Sequence, residues 1–180
     1  MSPQKLDRER AALVVVDVQE AFRKALPTFG EVAHAAGVLV EGAAELGLPI
    51  VVTEQYPKGL GQTVPEVAEK LPEGVQPVDK VRFSAAEADG FGLGGRDQAV
   101  VCGIETHVCV NQTVLDLLDK GVEVQVVSDA VGSRTEANRE LGLHKMERAG
   151  ATLTSVETAL FELLGGSDAP AFKEVQALVL

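Results

Sequence analysis

The chain alternates between short, continuous apolar runs and longer stretches in which apolar residues recur at helical spacing. Runs without polar interruption are typical of strands buried on both faces, whereas spacings of three and four residues indicate one apolar face of a helix. The pattern predicts strands over residues 11–18, 49–53, 76–79, 98–102, 122–128 and 151–154. It predicts helices over residues 31–46, 64–70, 106–120, 135–149, 157–164 and 171–180.

This alternation favours an α/β fold in which helices cover both faces of a parallel sheet. No repeat, low-complexity tract or linker divides the sequence, so residues 1–180 are predicted to form a single domain. In such sheets ligands bind beyond the carboxyl ends of the strands, where the strand order reverses. We therefore expect the chemistry of this protein at that edge.

The composition limits the partners and the location. Hydrophobic residues make up 46% and charged residues 24% of the chain, as in an ordinary globular protein. A formal net charge of −11 would repel nucleic acid and anionic membranes, so neither is expected as a partner. The first ten residues, MSPQKLDRER, lack the apolar run of a signal peptide, and no stretch is long enough to cross a bilayer. A cytoplasmic location is predicted.

The two cysteines need separate explanations, because they lie too close in sequence for a disulfide framework. Cys102 falls within an apolar strand and is expected in the core. Cys109 lies near the start of the helix predicted over 106–120, for which Thr106 is a candidate N-cap. Backbone N–H groups there favour a thiolate and can hold an oxyanion. The alternative is that Cys109 is a small, inert core residue.

Two charged residues stand at predicted strand ends. Asp17 interrupts the first apolar run, where it either enters a site or caps the next turn. Lys80 follows the third strand and could stabilise a thiolate; a solvated surface lysine is the alternative, and Arg82 is an equal basic candidate. The histidines make no evident pair with Cys109, and no metal-binding or phosphate-loop motif is present. No metal or cofactor is expected.

The segments around these positions resemble the isochorismatase-like cysteine hydrolases. The matching stretches are LVVVDVQEAF around Asp17, KVRFSAAE around Lys80, and VVCGIETHVCVNQTVLDLLDKGVEVQVVSDAVGSR around Cys109. The loop TEQYPKGLGQTVPEV and the tail FKEVQALV are most similar to the isochorismatase-domain-containing subgroup. The likeness extends over nearly the whole chain.

The resemblance implies a three-layer α/β/α sandwich around a six-stranded, mostly parallel sheet in the order 3-2-1-4-5-6, assembled as a homo-oligomer. It implies that Cys109 is the nucleophile, that Asp17 carries the proton and that Lys80 stabilises the charges. It also implies a cis peptide bond between Ile104 and Glu105. This bond would turn the Glu105 N–H toward the Cys109 N–H to form an oxyanion hole.

The loop after the second strand separates this chain from the related nicotinamidases. Those enzymes carry an Asp-x-His zinc cluster there, whereas residues 54–57 read EQYP, which argues against zinc and against nicotinamide. The subgroup likeness also argues against isochorismate itself. Phe22, Tyr56 and Glu105 are predicted as pocket walls. The predicted activity is hydrolysis of a small amide, ester or related C–N or C–O compound; the alternative is a non-catalytic or redox-responsive binding protein with the same fold.

Overall fold

The computed structural model describes residues 5–180. Within them, a six-stranded sheet has the order β3-β2-β1-β4-β5-β6, and each pair of neighbouring strands is parallel. The strands are β1 (Ala11–Val16), β2 (Ile50–Gln55), β3 (Val78–Lys80), β4 (Gln98–Ile104), β5 (Glu123–Gly132) and β6 (Thr152–Thr154). This is the predicted fold class and strand order.

Helices cover both faces of the sheet. One face carries α1 (Phe29–Glu45), α6 (Val156–Leu164) and α7 (Phe172–Val179), and the other carries α4 (Asn111–Asp119) and α5 (Glu136–Ala149). Two short helices, α2 (Pro57–Leu60) and α3 (Pro65–Ala68), lie in the long connection between β2 and β3. Within the described part of the chain, no helix combines the length and the apolar character that crossing a membrane requires.

The central strand β1 shows why its sequence is continuously apolar. Leu13 and Val15 pack into the core beneath α1, whereas Val14 and Val16 pack into the core beneath α4. Successive side chains of a strand point to opposite faces, so a strand with a helical layer on each side must be apolar at every position. The continuous apolar sequence of β1 is therefore explained by the three-layer architecture, in which helices cover both faces of the sheet.

Strands β2 and β3 both end later than the sequence predicts, which changes the position of Lys80. The prediction ended the second strand at Thr53, because the Gly and Pro residues within 54–72 indicate a long loop, yet Glu54 and Gln55 continue the ladder. Gln55 is paired with Lys80 in the register between β2 and β3, so Lys80 is the last residue of β3 and does not follow it. Polar side chains are tolerated here because they hydrogen-bond across the strand ends.

Strand β4 passes very close to β1 at a single glycine. Gly103 has a φ of +122°, and a Cβ atom on it would lie 2.0 Å from the carbonyl oxygen of Val16. Only glycine combines this backbone conformation with such an approach. The ends of β1 and β4 are thereby brought together where the strand order reverses, which is the edge at which a site is expected.

Candidate active site

Asp17 is the first residue after β1 and turns the chain out of the sheet. Its φ of 51° lies in the left-handed region, which Asp and Asn adopt more readily than other non-glycine residues. The side chain is fully buried, and its Oδ1 atom accepts a hydrogen bond of 2.7 Å from the Thr53 hydroxyl. The carboxylate thus points into the protein and does not cap an exposed turn.

Lys80 supplies the charge that balances this carboxylate. Its Nζ atom lies 2.7 Å from Asp17 Oδ2, and both side chains are completely shielded from solvent. Nζ also donates to Gln55 Oε1 at 2.7 Å, to the Phe83 carbonyl at 2.8 Å and to the Arg82 carbonyl at 3.2 Å. A buried ammonium requires such a set of acceptors. Lys80 is therefore not a surface lysine, whereas the alternative cation, Arg82, is exposed.

Cys109 brings a thiol to this ion pair. Its side chain interacts electrostatically with both groups: Asp17 raises the pKa of the thiol and Lys80 lowers it, and the residue is only 6% exposed. Asp17, Lys80 and Cys109 come from three distant segments, and the parallel topology gathers them at the carboxyl edge of the sheet. Asp17 and Lys80 meet in a buried ion pair, whereas the full Asp-Lys-Cys triad and the chemical roles of its members remain a proposal.

The helix that carries Cys109 begins differently from the prediction. Thr106 was expected as the N-cap, but the helix is capped at Glu105 without a side-chain hydrogen bond. The first turn, Thr106–Val110, is π-helical: the Val110 N–H bonds to the Glu105 carbonyl five residues earlier, at 3.2 Å. A π turn holds one more residue than an α turn, and apolar spacing does not reveal it. Helix α4 then continues from Asn111.

The protonation state of the thiol also differs from the expectation. Burial raises the pKa of Cys109 to about 12, the negative charge of Asp17 adds to the rise, and Lys80 opposes it. Loss of solvation is the largest cause of this rise, and it acts against the thiolate that was predicted from the position at a helix N-terminus. Burial likewise raises the pKa of Asp17, against the opposing charge of Lys80. At neutral pH the sulfur holds its proton, and a nearby base is required to remove it.

Glu105 immediately precedes the nucleophile turn, and its peptide bond with Ile104 is cis. Its buried carboxylate accepts hydrogen bonds from the Arg134 N–H at 3.0 Å and from Arg134 Nε at 3.1 Å. The side chain therefore anchors the segment that follows β5. The predicted oxyanion hole, formed by the backbone N–H groups of Glu105 and Cys109, remains a prediction.

The remaining predicted pocket residues lie in different surroundings. Tyr56 is 56% exposed and lines a cavity of about 450 Å³ together with Lys80 and Arg82. Its N–H donates to the Lys80 carbonyl at 2.9 Å, which fixes the loop beside the lysine. Phe22 packs against the apolar core beneath α1 and is not among the residues that line this cavity.

Two glutamines that the sequence analysis did not select support the ion pair. Gln19 is fully buried; its amide accepts from the Gln55 N–H at 2.7 Å and donates to the Gln55 carbonyl at 3.0 Å. It also donates to the Gly61 carbonyl at 2.7 Å. Gln19 thus fixes Gln55, whose own side chain accepts from Lys80. The sequence signal that could have identified Gln19 was its position two residues after Asp17, the aspartate at the end of the first strand.

These features define a class: a doubly wound α/β fold with a buried thiol, carboxylate and ammonium at the reversal of its strand order. Residues 11–158 match the family model described as the Isochorismatase domain. The chain belongs to this family, whose members are isochorismatase-like hydrolases.

Individual relatives agree over most of the chain. The Isochorismatase domain-containing protein 2 of Xenopus laevis is 40% identical, and the match covers 98% of this chain and 86% of that protein. The structure of the MAR1 ribonuclease from Caenorhabditis elegans is 42% identical with a TM-score of 0.92, covering 98% of this chain and 92% of that one. YcaC from Pseudomonas aeruginosa, solved with hexane-2,5-diol and covalent acrylamide, is 26% identical with a TM-score of 0.87, covering 100% and 94%.

Proposed function

We propose that this protein is a cysteine hydrolase that cleaves a small amide, ester or related C–N or C–O compound through a covalent intermediate on Cys109. The observation that carries the proposal is the buried Asp17–Lys80 ion pair, whose two charges both act on the enclosed Cys109 thiol at the same edge of the sheet. A nucleophile beside a base that is itself held by a third group is the arrangement used in covalent catalysis.

The first chemical step transfers the thiol proton to the carboxylate. As Cys109 Sγ attacks the carbonyl carbon of the substrate, its proton moves to Asp17, and the carbonyl π electrons move to the oxygen. The raised pKa of Asp17 makes it a stronger base than an ordinary carboxylate, which suits this transfer. Lys80 holds its positive charge next to both partners and stabilises the forming thiolate.

The second step expels the leaving group and the third regenerates the enzyme. The oxyanion, held by the N–H groups of Glu105 and Cys109, collapses to a thioester as the leaving group takes the proton from Asp17. A water molecule then gives a proton to Asp17 and attacks the thioester. The acid product leaves, and the sulfur regains its proton from Asp17. None of the proposed steps uses a metal or a cofactor.

The surroundings of the sulfur favour a small substrate. Cys109 is almost completely enclosed, so a bulky polymer could not easily place its backbone against the sulfur. The related YcaC structure holds covalent acrylamide, which is a small amide whose alkene reacts with thiols. By family resemblance we also propose that the protein assembles as a homo-oligomer.

The direct test is a screen of small amides and esters with the wild type, Cys109→Ser and Cys102→Ser. Cys102 is a matched control, because it is also a buried thiol but lies in β4 with a pKa raised by burial alone. We expect Cys102→Ser to retain turnover and Cys109→Ser to lose it by at least about 100-fold, as for other nucleophile replacements. Equal turnover by Cys109→Ser and the wild type on each accepted compound would refute the proposal.

Ribonuclease activity is a second candidate, since the Caenorhabditis elegans relative bears that name at 42% identity. The charge of this chain opposes it: the net charge is −11, and Asp79, Glu87 and Asp89 line the cavity beside Lys80. Cleavage of a labelled RNA by the wild type and by Asp17→Asn decides the question. RNA cleavage lost in Asp17→Asn would establish this activity, whereas equal cleavage by both proteins would assign it to a contaminant.

The redox-responsive alternative is less favoured by the site. Peroxide reacts with thiolates, and a thiol whose pKa is raised to about 12 is nearly all protonated at neutral pH. Mass spectrometry after mild peroxide treatment would test it: rapid and selective oxidation of Cys109 would support a sensor.

A further inference from the structure

A single buried hydroxyl connects the two segments that carry the thiol and the ammonium. Thr113 lies in α4, one turn after Cys109, and is fully buried. Its Oγ1 atom donates to the Cys109 carbonyl at 2.7 Å and accepts from the Ala85 N–H at 2.8 Å. The nucleophile's own peptide and the chain after Lys80 therefore meet at one atom.

The Ala85 contact reaches Lys80 through a short stretch of backbone. Ala85 begins the 3₁₀ turn Ala85–Glu87 and is fully buried. Three and two residues before it, the carbonyls of Arg82 and Phe83 accept hydrogen bonds from Lys80 Nζ. Any movement of Ala85 relative to α4 would therefore carry along two of the acceptors that hold the ammonium.

We propose that Thr113 is a positioning residue that sets the placement of Lys80 relative to the Cys109 sulfur. The inference rests on the proposed function and extends it to a residue outside the triad. The hydroxyl holds the Cys109 carbonyl by donating a hydrogen bond, and it holds the segment after Lys80 by accepting one from the Ala85 N–H. An apolar side chain of the same shape would fill the space but would break both connections.

The loss of the hydroxyl has a predictable consequence. In Thr113→Val the buried Ala85 N–H has no partner, and a buried N–H without a partner is strongly disfavoured, so the loop shifts to find one. A misplacement of about 1 Å at a reacting group lowers the rate by up to about 100-fold. Substrate binding depends less on this spacing, so the effect should fall on kcat.

The test uses hydrolysis of p-nitrophenyl acetate by three variants. We expect Thr113→Val to lower kcat by about 10- to 100-fold with KM changed less than about threefold, and Thr113→Ser, which keeps the hydroxyl, to stay within about threefold of the wild type. Thr154→Val is the matched control, since Thr154 is buried in β6 and its hydroxyl has no hydrogen-bond partner among the described residues. It should behave as the wild type.

Alkylation by iodoacetamide gives a readout that does not depend on turnover. Lys80 lowers the pKa of Cys109, so its displacement in Thr113→Val should slow modification of Cys109 at pH 8 by about three- to tenfold, with Thr113→Ser unchanged. Peptide mapping separates Cys109 from Cys102. If circular dichroism shows that Thr113→Val does not fold, Thr113→Ala takes its place with the same expectations.

The outcomes separate the two proposals. Wild-type kcat and wild-type alkylation in Thr113→Val, or an equal loss in Thr113→Val and Thr113→Ser, would overturn the role of Thr113. Undiminished turnover by Cys109→Ser would instead overturn the proposed function, and a slower alkylation of Cys109 in Thr113→Val would still support the positioning role.

Discussion

At the scale of single residues, desolvation decides the chemistry of the site. The sequence placed Cys109 at a helix N-terminus and predicted a stabilised thiolate, but enclosure reverses that preference and keeps the proton on the sulfur. Burial depends on loops far away in sequence and was not visible in the motif. The strand-end position of Asp17 was visible, whereas its partner Thr53 was not.

The first prediction concerns the pH dependence of turnover. Asp17 must be ionised to accept the thiol proton, so kcat/KM should rise as pH increases through the raised pKa of Asp17, above its ordinary value of about 4. No descending limb from thiol ionisation is expected before pH 10, because the pKa of Cys109 is about 12. A pH–rate series with Asp17→Asn checks the assignment; an unchanged ascending limb in that variant would contradict it.

The second prediction concerns the buried ion pair. Lys80→Met leaves Asp17 buried without a counter-charge and should lower the free energy of unfolding by about 3–5 kcal/mol at pH 7, measured in urea. The pKa of Asp17 rises further without Lys80, so this variant should be most stable at acid pH and lose stability as pH rises through that pKa.

The matched variant is the double substitution Asp17→Asn with Lys80→Met, which removes both charges. It should be destabilised by less than the sum of the two single substitutions, because the groups are in direct contact. Strict additivity would show that the pair contributes nothing as a unit.

At the scale of elements, the π-helical turn is held by tight packing against α5. A Cβ atom on Gly142 would lie 2.9 Å from the Thr106 carbonyl oxygen and 3.0 Å from His107 Cα. The sequence predicted both helices, yet it showed neither the π turn nor this contact, because apolar spacing reports one buried face and not the distance between two helices. The Gly and Pro residues of the loop after the second strand likewise led the prediction to end that strand before Gln55.

The third prediction concerns this contact. Gly142→Ala should displace the turn and lower kcat by about tenfold, and it should also lower the free energy of unfolding, since the added atom meets backbone at 2.9–3.0 Å and this strain exceeds the roughly 1 kcal/mol gained in helix propensity. The control is Gly30→Ala in α1, where nothing lies within 4 Å of the added atom. The control should keep full activity and gain up to about 1 kcal/mol of stability in urea unfolding.

At the scale of the whole molecule, the sheet topology brings together residues that are far apart in the sequence. Asp17, Lys80 and Cys109 are separated by long stretches of chain, and they come to the same edge of the sheet because β1, β3 and β4 are parallel and end there. The alternation of strands and helices predicted the sheet, and the family resemblance implied its order. The pocket was predicted less well, because its walls come from loops: Tyr56 lines a cavity beside Lys80, whereas Phe22 packs in the core.

The fourth prediction is that the protein sediments as a homo-oligomer at micromolar concentration. Exposed apolar side chains at Tyr56, Val81 and Phe83 mark a surface near the site that water solvates poorly. Analytical ultracentrifugation of the wild type and of Cys109→Ser should give the same assembly for both. A monomer at all accessible concentrations would contradict this expectation.

The most direct test of the catalytic account is intact-mass and peptide mass spectrometry of the enzyme quenched in acid during turnover of p-nitrophenyl acetate. Covalent catalysis by Cys109 predicts one acetyl group as a thioester on Cys109, present in Cys102→Ser and absent in Cys109→Ser. Two results would contradict covalent catalysis by Cys109. One is that the wild type turns over without a detectable acyl-enzyme and Cys109→Ser turns over equally fast. The other is that the acetyl group lies on a different residue that is required for turnover.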